Sequence, residues 1–184
     1  MKKLSIGILV TAGLFFFFSC ASKPLPPPQF VYGKGEIQLQ LQAAPDLNTY
    51  EGSPHTLLLC LYQLKDPNAF NQLTGDEDGL YKLLECGPFD PSVTNIKRLI
   101  MRPGQATSVQ LDRAEGTKYV GLAAGYSTMK KENMIRLFKI PVLVEKKGFI
   151  STTKVQKPGP LALDILLGGQ QIKNVTSKAT PGEK

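Results

Sequence analysis

The chain has no tryptophan, one histidine and three cysteines in 184 residues. The lone imidazole, His55, stands beside Pro54 in a turn-like stretch, and no serine or cysteine nucleophile is spaced to pair with it. It reads as a solvent-facing loop residue, and no catalytic residue is assigned. So few His and Cys residues offer no CxxC or HExxH set for a metal. The densest acidic cluster, Asp76-Glu77-Asp78, lacks the glycine and terminal glutamate of a calcium loop and is explained by helix capping. No glycine-rich phosphate loop follows a strand-like segment, so nucleotide binding has no support. After residue 20 no apolar run is long enough to span a bilayer. These absences argue against an enzyme, a metal or other cofactor and a small-molecule substrate, and they favour a water-soluble module that acts by binding.

A strong charge imbalance is missing too. The formal charge is +7, and setting aside Lys2 and Lys3 leaves 20 basic against 15 acidic side chains. The basic residues fall in short pairs (Lys97-Arg98, Lys130-Lys131, Lys146-Lys147) without interleaved aromatics, which excludes the stripe expected of a nucleic-acid footprint. A weak attraction to anionic lipid or cell wall stays open.

What is present begins with an export signal. Met1-Lys2-Lys3 is a basic start, and the apolar stretch 4–18 is too short for a comfortable transmembrane helix. It ends in Phe17-Phe18-Ser19-Cys20-Ala21-Ser22, which resembles a bacterial lipobox in placing a small residue directly before a cysteine. The chemistry needs that thiol, because sulfur receives the diacylglycerol before cleavage frees the amine for a third acyl chain. Residues 1–19 are therefore expected to be a lipoprotein signal peptide, with covalent lipid at Cys20. The competing reading is ordinary cleavage after Ala21. Ala21 and Ser22, rather than Asp, follow the cysteine, a pattern that sends a lipoprotein to the outer membrane. Residues 20–34 contain Pro24, Pro26, Pro27 and Pro28 and read as an extended tether.

The rest, 35–175, has the length and 42% hydrophobic content of one compact domain. Residues 36–43 alternate polar and apolar without a fault, the period of a strand with one wet face. Turn formers fill 45–55, and 56–64 follows as a strand apolar on both faces, hence central. Asp66-Pro67 predicts a short helix with Asp66 as its cap, and Asp76 begins a second that places Leu80, Leu83 and Leu84 on one face. Short strand-like runs return at 95–102, 106–112, 118–126, 134–144, 149–152 and 161–167, with Pro141 expected to break the fourth or place it at an edge. Gly121, Ala123, Ala124 and Gly125 suggest close packing against a neighbour. The pattern predicts a mainly β two-sheet sandwich with one or two short added helices, followed by a disordered tail over 176–184. Cys60 and Cys86 remain for the domain. They either form a disulfide, which export favours, or stay as two buried thiols.

One family is similar to this pattern. Leu47-Asn48 and Pro54, then Leu59-Cys60-Leu61-Tyr62-Gln63-Leu64-Lys65, Phe70, Pro103-Gly104 and 119–126 resemble the type VI secretion outer-membrane lipoproteins (TssJ, also called SciN) over about 35–168. Cys60 and Cys86 depart from that family's pattern. The resemblance implies a transthyretin-like β-sandwich without enzymatic activity on the periplasmic face of the outer membrane. It also implies a partner, the periplasmic carboxy-terminal domain of the IcmF-like inner-membrane component (TssM). The loop between the first two strands would bind it, here through Asp46, Leu47, Asn48, Tyr50 and Glu51. The alternative is another periplasmic lipoprotein binding module, pilotin-like or cell-wall binding.

Overall fold

The computed structural model describes residues 25–147 and 153–177. The signal peptide, Cys20, the start of the tether, the segment expected at 149–152 and the chain beyond residue 177 lie outside the described residues. Ten strands and three short helices are described: β1 (Gly33–Ala43), β2 (Leu57–Leu64), α1 (Asn68–Leu73), α2 (Glu77–Leu84), β3 (Val93–Met101), β4 (Ala106–Arg113), β5 (Tyr119–Ala124), α3 (Lys131–Met134), β6 (Ile135–Lys139), β7 (Val142–Lys147), β8 (Thr153–Pro158), β9 (Leu161–Leu167) and β10 (Ile172–Ser177). Two four-stranded sheets, ordered β10-β9-β1-β4 and β3-β2-β5-β6, form the sandwich, and β7-β8 is a separate pair.

The alternation of β1 decides which way it faces. Ile37, Leu39, Leu41 and Ala43 point inward and are buried, while Gln38, Gln40 and Gln42 face solvent. β4 pairs antiparallel on one side of β1 and β9 pairs parallel on the other, with Leu161, Leu163, Ile165 and Leu167 completing the inner face. Opposite them lie Leu57, Leu59 and Leu61 of β2 and Val120, Leu122 and Ala124 of β5. Each fully buried aliphatic contributes about 1.5–3 kcal/mol relative to exposure.

β2 is apolar on both faces because both are covered. Its outward set, Cys60, Tyr62 and Leu64, packs with Phe70 and Leu83 from the helices in a second cluster. The Tyr62 hydroxyl donates to the Leu83 carbonyl at 2.6 Å, and Cys60 is joined to Cys86 by a disulfide with Cα atoms 5.2 Å apart. A Cβ on Gly121 would stand 2.6 Å from the Phe70 ring, so the close packing expected there is α1 lying on β5. Gln63 is 4% exposed and joins the sheets. Its amide donates to the Asp112 carbonyl and its oxygen accepts from the Ala114 N–H and the Thr117 hydroxyl.

Three local expectations are corrected. Pro67, not Asp66, is the cap residue of α1, and the Asp66 carboxylate accepts from the Asn68 N–H one step earlier. The run over 134–144 becomes β6 and β7, split at Ile140-Pro141, with Met134 in α3. The sequence predicts a tail from residue 176, yet Thr176 and Ser177 belong to β10. A bulge between Ile172 and Asn174 puts Ile172 and Val175 on the inner face at a spacing of three, which hides the alternation.

Candidate functional site

The connection between β1 and β2, residues 44–56, folds back on the molecule. The Ala44 and Thr49 N–H groups donate to Leu167 and Gly169, and the Ala44 carbonyl accepts from Gly104. The loop thus rests on the β9–β10 and β3–β4 turns.

Two of the five residues assigned to it face inward. Leu47 is fully buried in the sandwich core. Asn48 is 6% exposed and takes the left-handed conformation at φ 46°, which asparagine tolerates better than most residues. Its side-chain amide donates to the Thr56 carbonyl at 2.9 Å, and its oxygen accepts from the Ser127 N–H at 2.8 Å and the Ser127 hydroxyl at 3.1 Å. Leu47 and Asn48, both expected to touch a partner, are thus buried in the free chain and hold the loop from within.

The other three are exposed. Tyr50 and Ser53 exchange backbone hydrogen bonds of 2.9 and 3.0 Å around Glu51 (φ 49°) and Gly52 (φ 78°). Positive φ at both central positions is the type I′ pattern, so the tip is a small, defined hairpin. Tyr50 stands 53% exposed with the His55 ring tilted 6.3 Å away. Asp46 is exposed at the base, and its backbone carbonyl accepts from the Thr49 hydroxyl. Beneath lies Tyr126, whose phenol burial pushes well above its usual range, with the Gly168 backbone and Arg136 opposing that shift and Asp46 adding to it. Arg136 donates to the Ile172 carbonyl at 2.8 Å and ties β6 to β10 at the same end of the sandwich.

Sequence reasoning missed Ser127 and the Gly168-Gly169 turn, and it read Pro103-Gly104 as a turn without its contact to Ala44. The paired glycines carry a turn signal. Nothing in the sequence links Ser127 to Asn48 across 79 positions.

The tether enters at the other end. The Phe30 carbonyl accepts from the Gly116 N–H at 2.6 Å, and the Val31 carbonyl accepts from the guanidinium of Arg113, itself 3% exposed. The Tyr32 hydroxyl donates to Asp112, which also accepts from the Gly35 N–H at 2.8 Å. The Tyr32 hydrogen bond holds the Asp112 carboxyl below its ordinary value, helped by the Gly35 N–H, and the same contact raises the Tyr32 phenol. At about 3.3 Å per residue, the 11 residues of β1 separate this latch from the 44–56 loop by about 35 Å.

Among the described residues no group of three or more His, Cys, Asp or Glu could hold a metal, and no helix is long and apolar enough to cross a membrane. The architecture defines a class, a two-sheet β-sandwich with helices on one outer face and a structured loop at the pole away from where the chain enters β1. Residues 35–156 match the family described as type VI secretion lipoprotein (VasD, EvfM, TssJ), and the chain belongs to that family. It is a family of secretion-system lipoproteins and not an enzyme class. No curated protein matches the chain by sequence. Among solved structures, the type VI lipoprotein TssJ1 from Pseudomonas aeruginosa is similar at 23% identity and TM-score 0.59, over 84% of this chain and 100% of that one. Serratia marcescens Lip, a membrane-bound component of the type VI secretion system, follows at 14% identity and TM-score 0.54, over 78% of this chain and 97% of that one. A structure of the type VI protein TssM C-terminal domain from EAEC matches at 18% identity and TM-score 0.51, over 78% of this chain and 98% of that one. These likenesses support the sandwich fold expected from the sequence.

Proposed function

We propose that this type VI secretion lipoprotein is acylated at Cys20, sits on the periplasmic face of the outer membrane and binds the periplasmic carboxy-terminal domain of an IcmF-like inner-membrane component (TssM) through its 44–56 loop. The observation that carries this reading is the polarity of the sandwich: the tether is latched at one end of β1 and the exposed hairpin tip stands at the other. A molecule held by its lipid end presents that tip towards a partner reaching across the periplasm. The contacting residues are Asp46, Tyr50 and Glu51, and Leu47 and Asn48 position them. A preformed loop saves the ordering cost that a flexible one would incur on binding.

Two experiments separate the parts of this reading. Radiolabelled palmitate fed to cells is incorporated into the native chain and lost with Cys20→Ser; labelling that survives the substitution contradicts acylation there. Replacing 50–53 by Gly/Ser abolishes capture of the inner-membrane component while the melting temperature stays near that of the native chain. Undiminished capture contradicts the loop assignment.

A further inference from the structure

Among the described residues the β7–β8 hairpin pairs with neither sheet of the sandwich, and its base lies at the tether pole. The Pro141 carbonyl accepts from the Gly159 N–H at 2.8 Å, and the neighbouring Ile140 N–H donates to Lys118 in the β4–β5 connection. Two residues beyond Gly159, Leu161 pairs with Ile37 at the beginning of the β1 core.

Cross-strand register sorts the hairpin's side chains. Val142, Val144 and Lys146 share one face with Pro158, Gln156 and Lys154. Leu143, Glu145 and Lys157 occupy the other face, where Leu143 lies against Gly159 and Lys157 pairs with Glu145 at 2.5 Å. The first face thus exposes two valines and sets Lys146 directly opposite Lys154. Like charges in that position destabilise a strand pair, and among the described residues neither lysine has an ion-pair partner. Val142 and Val144 are 36% and 56% exposed. Seven large apolar side chains are exposed among the described residues, and four of them, Val31, Tyr32, Val142 and Val144, belong to the tether entry or this hairpin. Exposed Lys34, Lys118 and Lys139 are at the same pole.

We propose that this pole is a membrane-docking surface, with Lys146 and Lys154 binding the anionic headgroups of a phospholipid bilayer and the adjacent valines resting at its interface. Apolar side chains beside unpaired lysines suit that boundary, where the negative surface potential supplies the counter-charge that the hairpin lacks. The ten residues from Cys20 to Phe30 reach at most about 35 Å, so acylation would hold the hairpin close to the bilayer. The inference rests on the proposed acylation for its orientation, but headgroup binding is testable without lipid.

The test uses the chain from residue 20 onward carrying Cys20→Ser, sedimented with vesicles of phosphatidylcholine alone or mixed with phosphatidylglycerol. The bound fraction should rise with phosphatidylglycerol and fall with added salt. Lys146→Gln with Lys154→Gln should weaken binding about thirtyfold, at about 1 kcal/mol for each lysine near an anionic surface. Lys97→Gln with Arg98→Gln, the same charge change on the exposed middle of β3, should leave binding unchanged. Binding indifferent to phosphatidylglycerol overturns the proposal, as does an equal loss in both double variants. Failure here leaves the palmitate result at Cys20 intact, and loss of acylation leaves the vesicle result intact.

Discussion

Asn48 combines a left-handed backbone with three side-chain hydrogen bonds, and each property can be removed separately. Asn48→Gly keeps the backbone conformation and loses the hydrogen bonds. Asn48→Ala loses the hydrogen bonds and adds backbone strain. Chemical denaturation should show the alanine variant destabilised by about 2–4 kcal/mol and the glycine variant by about 1 kcal/mol less, from hydrogen bonds of about 1 kcal/mol each and the cost of the left-handed region. Both should weaken partner binding although Asn48 is buried. Tyr50→Ala should leave stability nearly unchanged and weaken that binding by about 2 kcal/mol, the scale of an aromatic hot spot. The sequence placed Leu47 and Asn48 beside Tyr50 in one polar stretch. It could not separate holding residues from presenting ones, because that division depends on turns more than fifty positions away.

Tyr62 gives the residue scale its pH dependence. Burial, reinforced by the nearby Glu85, pushes its phenol up to about 12. A raised folded value favours the protonated form, so this contribution is fully present below about pH 10, the ordinary value. It is lost as pH rises through about 12. Tyr62→Phe should lower stability at neutral pH by about 1 kcal/mol, through loss of the hydrogen bond to Leu83. It should also flatten the alkaline decline; an unchanged decline would contradict this role for Tyr62.

At the scale of elements, legibility follows patterning. β1 and β9 alternate, or pair an apolar inner face with mixed outer residues, and both appear within a few residues of their expected limits. Pro141 announces the break between β6 and β7 because proline removes a ladder donor. β10 escaped notice because its bulge breaks the period and its other residues are polar. The pairing of Cys60 with Cys86 is a tertiary fact: one lies on the outer face of β2 and the other just after α2, so the disulfide pins the helical layer to the sheet. At a sequence separation of 26, replacing both by alanine should cost about 3–4 kcal/mol in denaturant unfolding under oxidising conditions. The double variant should retain the β-sheet circular dichroism of the native chain, since the core between the sheets contains neither cysteine.

The whole molecule gains its meaning from the separation of its ends. Gln63 and the latch formed by Tyr32, Asp112 and Arg113 hold the tether end of the sandwich together. The β9–β10 and β3–β4 turns brace the 44–56 loop at the other end. Under the proposed function, this separation places the lipid anchor at one end and the protein partner at the other. The most direct test is a binding isotherm between the purified periplasmic carboxy-terminal domain of the inner-membrane component and two forms of this lipoprotein. One form is native and the other carries Gly/Ser at 50–53. The account predicts saturable binding by the native form and none by the altered form at equal fold stability; equal affinity for both forms would place the interface elsewhere and contradict it.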